Sequence, residues 1–253
     1  MIDIEKTVRE FMQELQGGSV TSHTSITNVV DVCDDLCRKL EHSLLVLGLT
    51  QEELLKECRM ARTVQVGTVC VAPYYVADAS EMLAGSSVEV CAAVGFPSAY
   101  MSTEAKLADV RACVIDGASE IDLAINVAAV KSGDMKKAES DFRSAVDAVA
   151  ERAIVKAVFE HAAYDAREKE DVLQMIERSG APFLKIQNMV SGHGARVEDI
   201  IFVKSILGDK VKIKIDGGVK TLAQAVELFS AGAHRIGLTA TEAIAEEISK
   251  SRR

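Results

Sequence analysis

The 253-residue sequence predicts an α/β fold, a (β/α)8 TIM barrel with an N-terminal helical extension. Three observations predict it. Short apolar, strand-like runs alternate with amphipathic helical segments along most of the chain. The tetrapeptides DGAS, SGAP and AGAH each set Gly-Ala between a helix and the next strand, where Gly117, Gly180 and Gly232 suit the left-handed position after a helix C-terminus. Eight such units in about 210 residues fit a closed parallel barrel better than two open sheets.

Each element has its own signal. EHSLLVLG is the best candidate for the first strand, and Thr50 with Glu53 forms a capping box that opens the helix behind it. GTVCVAP, EVCAAVGF, SEIDLAIN, AIVKAVFE, PFLKIQN, VKIKIDGG and HRIGLTA read as the second to eighth strands. A helix over 134–150 has Met135, Ala138, Phe142, Ala145, Val146 and Val149 on one face. Another begins near Thr221, with Leu222, Ala225, Val226 and Phe229 inward. Residues 1–38 precede the barrel as one or two helices, and 39–253 form the barrel domain.

The composition excludes several function classes. Hydrophobic residues make up 48% of the chain, enough for a substantial core, and the absence of Trp leaves aliphatic packing dominant. A formal charge of −9 argues against nucleic acid or an anionic membrane as partner, while local basic pockets for small anions stay open. No apolar run reaches the roughly 18–20 residues that span a bilayer. MIDIEKTVREFMQEL lacks the apolar centre of a secretory signal, so the expected location is cytoplasmic. The six cysteines are scattered, and Cys33 with Cys37 has no downstream Cys or His cluster, so reduced thiols are expected rather than a zinc site.

The chemistry is concentrated at strand ends. In such a barrel the active groups lie at the C-terminal ends of the strands. Lys185 in FLKIQN and Lys214 in KIKIDGG fall on neighbouring strands, with Asp122 of EIDLAIN on a third. Alternation puts Lys212, Lys214 and Asp216 on one face, Lys185 with Gln187 on another, and Glu120 with Asp122 on a third. Burial opposes a lysine's charge, and a second lysine beside it lowers the pKa further. A neutral amine attacks carbonyls, so the expected chemistry is a Schiff base. Spacing alone favours ion-paired barrel lysines, and Lys156 is as readily a charge partner of Glu160 as a catalytic group.

From about Leu40 to Ala245 the chain resembles the deoxyribose-phosphate aldolase family, on LEHSLL, GTVCVAPYYV, AAVGFPSAY, EIDLAIN, VKSGD, IVKAVFE, FLKIQNMVSGHGARVEDI and KIDGGVKTLAQAVELFSAGAHRIG. The resemblance implies a class I lyase of deoxyribonucleotide catabolism. It would cleave 2-deoxy-D-ribose 5-phosphate to acetaldehyde and glyceraldehyde 3-phosphate, or act on a related aldol. It implies that Lys185 forms the imine, that Lys214 tunes it, that Asp122 shuttles protons with Lys214, and that Lys156 supports from the inner face. No metal or cofactor is implied, because a protonated imine is itself the electron sink. The implied partner is a small aldehyde or sugar phosphate, and the implied assembly a homodimer.

This chain departs from the family at the substrate side. Where the family has Thr-Ser-Thr-Gly after the Schiff-base lysine, Ile186, Gln187, Asn188 and Met189 stand here. Asp216 replaces a small residue before Gly217-Gly218. A carboxylate about 5 Å from a phosphate charge costs roughly 3 kcal/mol at an effective dielectric near 20. Asp216 could instead pair with Lys214 or Lys212. The phosphate-loop serines read GLTA, and the Asp-His-Thr of the first strand reads Glu41, His42, Ser43. Gly217, Gly218, Gly237 and Thr239 remain as an anion seat. Ser43, Gln187 and Asp216 complete the expected substrate contacts. His161 and His193 lie in strand-to-helix loops, where surface roles are commoner than ligand contact. A barrel that has lost efficient turnover and serves as a binding or regulatory protein is the rival reading.

Overall fold

The strands pair in sequence order and β8 returns to β1, giving a closed barrel of eight parallel strands. The computed structural model describes residues 35–149, 152–188, 192 and 194–250. The proposed N-terminal extension, Cys33, Met189 and His193 therefore lie largely or wholly outside the described residues.

The strands are β1 Leu40–Ser43, β2 Thr68–Val71, β3 Glu89–Val94, β4 Glu120–Ala124, β5 Ile154–Glu160, β6 Phe183–Gln187, β7 Lys212–Asp216 and β8 Arg235–Leu238. Seven match the apolar runs of the sequence closely. The first is shorter than EHSLLVLG suggests. Leu44 N–H makes a last bond to the Cys70 carbonyl, and the chain then leaves the barrel with Val46 and Leu47 exposed. Apolar content extended that run past the point where hydrogen bonding stops.

The helices form the outer ring: α1 Gln51–Val64, α2 Val76–Leu83, α3 Thr103–Ile115, α4 Val127–Lys131, α5 Met135–Val149, α6 Ala166–Ser179, α7 Val197–Leu207, α8 Leu222–Ser230 and α9 Thr241–Lys250. Their termini follow local chemistry. The Thr50–Glu53 capping box is formed, and Gly180 ends α6 at φ 75°, a conformation that costs glycine little. Ala138, Phe142, Ala145 and Val149 of α5, and Leu222, Ala225, Val226 and Phe229 of α8, are buried against the outside of the strands.

The hydrophobic core is thus the ring between strands and helices. A buried ion pair crosses it: Lys106 of α3 donates to Asp141 of α5 at 2.5 Å and to the Ala124 carbonyl at the end of β4 at 2.9 Å. None of the described helices is long and apolar enough to cross a membrane.

Candidate active site

The inside of the barrel carries charge where most such barrels carry branched aliphatics. Strand alternation turns Glu41, Glu120, Asp122, Lys156, Lys185, Lys214 and Arg235 toward the axis. Register sets Lys185 beside Lys214 and Asp122 beside Lys156. Lys156, Lys185, Lys214 and Asp122 are all fully buried.

Asp122 is the hub. Its Oδ2 accepts from Lys185 and Lys214, each at 2.8 Å, and its Oδ1 lies 3.4 Å from Lys156. Glu41 bridges Lys214 at 2.6 Å and Lys156 at 2.9 Å, and Glu120 also contacts Lys156. Arg235 closes the cluster from below, donating to Glu120 at 2.7 Å and Glu41 at 3.2 Å. Asp216 stands at the top, its Oδ2 2.6 Å from Lys185 and its Oδ1 3.8 Å from Lys214. Four carboxylates therefore face four cations among the described residues.

This pairing reverses the expected direction for the amine. Burial alone lowers Lys185, but Asp122 and Asp216 together outweigh burial and the neighbouring Lys214, so its pKa is raised. Lys214 is raised likewise, burial being overcome by Asp122, Asp216 and Glu41. Burial raises Asp122, yet Lys185, Lys214 and Lys156 hold it well below the usual range. Burial also works against Glu41, which Lys156 and Lys214 bring down to about 2. The repulsion between two lysines was legible in the sequence. The carboxylates that cancel it come from other strands.

Two expected pairings are not made. Lys212 does not reach Asp216. It starts the strand that Asp216 ends, about 13 Å away at ~3.3 Å per residue, and lies over the Phe183 ring. Lys156 pairs with Glu41 and Glu120, while Glu160 accepts from Gln187 at 3.3 Å. His161 faces Asp199 at 3.4 Å and packs edge-on against Phe159 and Phe202.

Above the cluster opens a cavity of about 350 Å³ at the C-terminal end of the strands. Ser43, Gln187, Asp216, Gly217, Gly218, Gly237 and Thr239 line it together with Leu45, Phe96, Asn188, Gly192, Gly194 and Leu238. The structure thus brings all the substrate-side candidates to one opening, directly over the lysines. Lys185 Nζ sits 5.6 Å from the centre of the Phe96 ring. A Cβ at Gly237 would collide with the Asp216 carboxylate, so this glycine makes room for that side chain.

Sequence reasoning gave no role to Glu120, Arg235 or Phe96, and it treated Glu41 only as a variant residue. The available signal was alternation: Glu41 has the parity of Ser43, and Arg235 that of Gly237. Cys70 and Cys91 also face inward, at paired positions of β2 and β3. Both thiols lie close enough to Asp122, and Cys91 also to Glu41 and Glu120, to form groups that could hold a metal ion. Those carboxylates already hold ammonium groups, however, and burial pushes the Cys91 thiol well up. The donor set suits ammonium groups better than a metal ion.

The chain is 35% identical over 211 residues to the deoxyribose-phosphate aldolase of Shouchella clausii, covering 83% of this chain and 94% of that one. It is 34% identical over 210 residues to the enzyme of that name from Bacillus cereus, with the same shares covered. The chain belongs to the deoxyribose-phosphate aldolase family. Among solved structures, the aldolase QR15 superposes with a TM-score of 0.81 at 27% identity, over 85% of this chain and 96% of that one. The deoxyribose phosphate aldolase of Aeropyrum pernix gives 0.80 at 20% identity, over 96% of this chain and 97% of that one, and speaks for the fold alone. No family model matches the chain. As a deoxyribose-phosphate aldolase family member the protein is a lyase.

Proposed function

We propose that this protein is a class I aldolase that works through a Schiff base on Lys185, cleaving 2-deoxy-D-ribose 5-phosphate or a related aldol and running the reverse addition. The observation that carries the reading is the buried Lys185–Asp122–Lys214 triangle beneath an open cavity, with both amines 2.8 Å from one carboxylate oxygen. An isolated buried lysine would be a packing cost. Two lysines sharing one acceptor form a proton relay.

Lys185 first loses a proton to a carboxylate within reach, Asp122 or Asp216. Its neutral Nζ adds to the aldehyde carbon, giving a carbinolamine. Protonation of that hydroxyl, supplied through Asp122 and Lys214, releases water and leaves the iminium. In the cleavage direction the iminium accepts the electron pair of the breaking carbon–carbon bond while the substrate hydroxyl loses its proton. The resulting enamine is protonated on carbon, and water then frees acetaldehyde and returns the amine. Lys214, held charged by Asp122, Asp216 and Glu41, stays a cation beside the neutral Lys185. Lys156 acts at a distance, balancing Glu41 and Glu120.

A second reading rests on Asp216. Its carboxylate holds Lys185 as an ammonium, which suits a barrel that binds aldehydes but turns over slowly. Borohydride reduction in the presence of acetaldehyde, with peptide mass mapping and an aldol cleavage assay, separates the two. A reduced adduct on Lys185 with turnover supports the aldolase. An adduct without turnover supports the binding protein. No adduct, or an adduct elsewhere, removes the Schiff-base reading.

A further inference from the structure

We propose that the cavity above Lys185 selects an uncharged hydroxyaldehyde over a phosphorylated one as the partner in the aldol step, and that Asp216 makes the selection. The inference rests on the Schiff-base reading and names its acceptor class.

Among the described residues lining the cavity, Asp216 alone carries a formal charge, and it is negative. An anionic acceptor therefore meets a carboxylate and no cation among the described lining residues. That carboxylate is fixed in place, its Oδ2 2.6 Å from Lys185 and its Oδ1 3.8 Å from Lys214 and packed against Gly237, so an acceptor meets its charge. A phosphate monoester, whose second pKa is about 6, offers mostly bare oxygens at neutral pH.

One amide of the glycine turn that would hold a phosphate is already engaged. Gly217 N–H bonds to the Gly237 carbonyl at 3.3 Å, and the Gly217 carbonyl accepts from Ala195 N–H at 2.8 Å. Gly194 presses on the same turn, since a Cβ at Gly218 would meet its Cα at 3.2 Å.

The test is aldol addition by the full chain with saturating acetaldehyde, comparing kcat/KM for D-glyceraldehyde and D-glyceraldehyde 3-phosphate. Wild type, Asp216→Asn and Asp216→Ser are compared, with borohydride trapping at Lys185 alongside. The wild type is expected to favour glyceraldehyde, and either substitution to move the ratio toward the phosphorylated acceptor by about 100-fold, the effect of one carboxylate near one phosphate charge. The isosteric Asn variant guards against loss of folding in the Ser variant, and the wild-type ratio needs no variant. A Lys185 adduct together with a wild-type preference for the phosphorylated acceptor overturns the inference and leaves the aldolase reading standing. An unchanged ratio in folded variants does the same. Failure to trap any adduct on Lys185 overturns the aldolase reading and this inference with it.

Discussion

Asp216 Oδ2 lies 2.6 Å from Lys185 Nζ, closer than the 2.8 Å between that amine and Asp122. The nucleophile of the proposed reaction is therefore clamped between two carboxylates from different strands. Removing one of them changes its protonation in a defined direction.

Asp216→Asn should make imine formation faster at neutral pH. Burial lowers the Lys185 pKa, and Asp122 and Asp216 raise it in opposition. Without the Asp216 charge the amine releases its proton at lower pH. The rate of borohydride-trapped adduct formation, followed against pH, should shift its midpoint downward by about one unit, a tenfold gain below the midpoint. A midpoint that stays or rises would show that Asp122 alone sets the amine.

Gly237→Ala should shift the same profile in the same direction without touching a charge. Its new methyl would occupy the space of the Asp216 carboxyl group, which must swing away from Lys185. An unshifted profile in a folded variant would mean the carboxylate finds another position on the amine.

Acid should weaken the fold through Glu41. Its folded pKa of about 2 lies below the ordinary 4.5, so its contribution is fully present above about 4.5 and is lost as pH falls toward 2. Thermal midpoints measured from pH 6 down to about 2.5 should fall steadily in the lower half of that range. Glu41→Gln should lower the midpoint at pH 6, because Lys156 and Lys214 each lose a buried partner, at a cost of roughly 3–5 kcal/mol. It should also flatten the acid limb. An acid limb as steep as the wild type's would assign it to other carboxylates.

Lys106→Met should destabilise the fold by roughly 3–5 kcal/mol, since it leaves the Asp141 carboxylate buried and short of its cation. That corresponds to a drop of about 10 °C in thermal midpoint for a chain of this size. Adding Asp141→Leu should recover much of the loss by removing the stranded charge. No recovery in the double variant would locate the loss in the bond to the Ala124 carbonyl instead.

The barrel was readable because its signals are local. Apolar runs, the Thr50–Glu53 box and glycines such as Gly180 after a helix act within a few residues, and they mark where strands and helices begin and end. The end of β1 was not readable in that way, because hydrogen bonding to Cys70 stops at Leu44 while the apolar run goes on. Lys185, Lys214 and Asp122 were also identified from sequence, since charged residues inside apolar strands are anomalous wherever they occur.

The sequence by itself determined the strand order, the inward faces and the presence of two neighbouring lysines. Only the tertiary structure decided what those lysines touch. Glu41 reaches Lys214 across 173 positions of chain and Lys156 across 115, which is possible only once β8 closes on β1. The sign of the Lys185 shift depends on that closure. Repulsion between adjacent strands follows from local alternation, whereas the carboxylates that outweigh it converge on the axis from strands far apart in sequence. Electrostatic energy depends on distance through space, and a linear pattern carries that distance only within one element and its nearest neighbour.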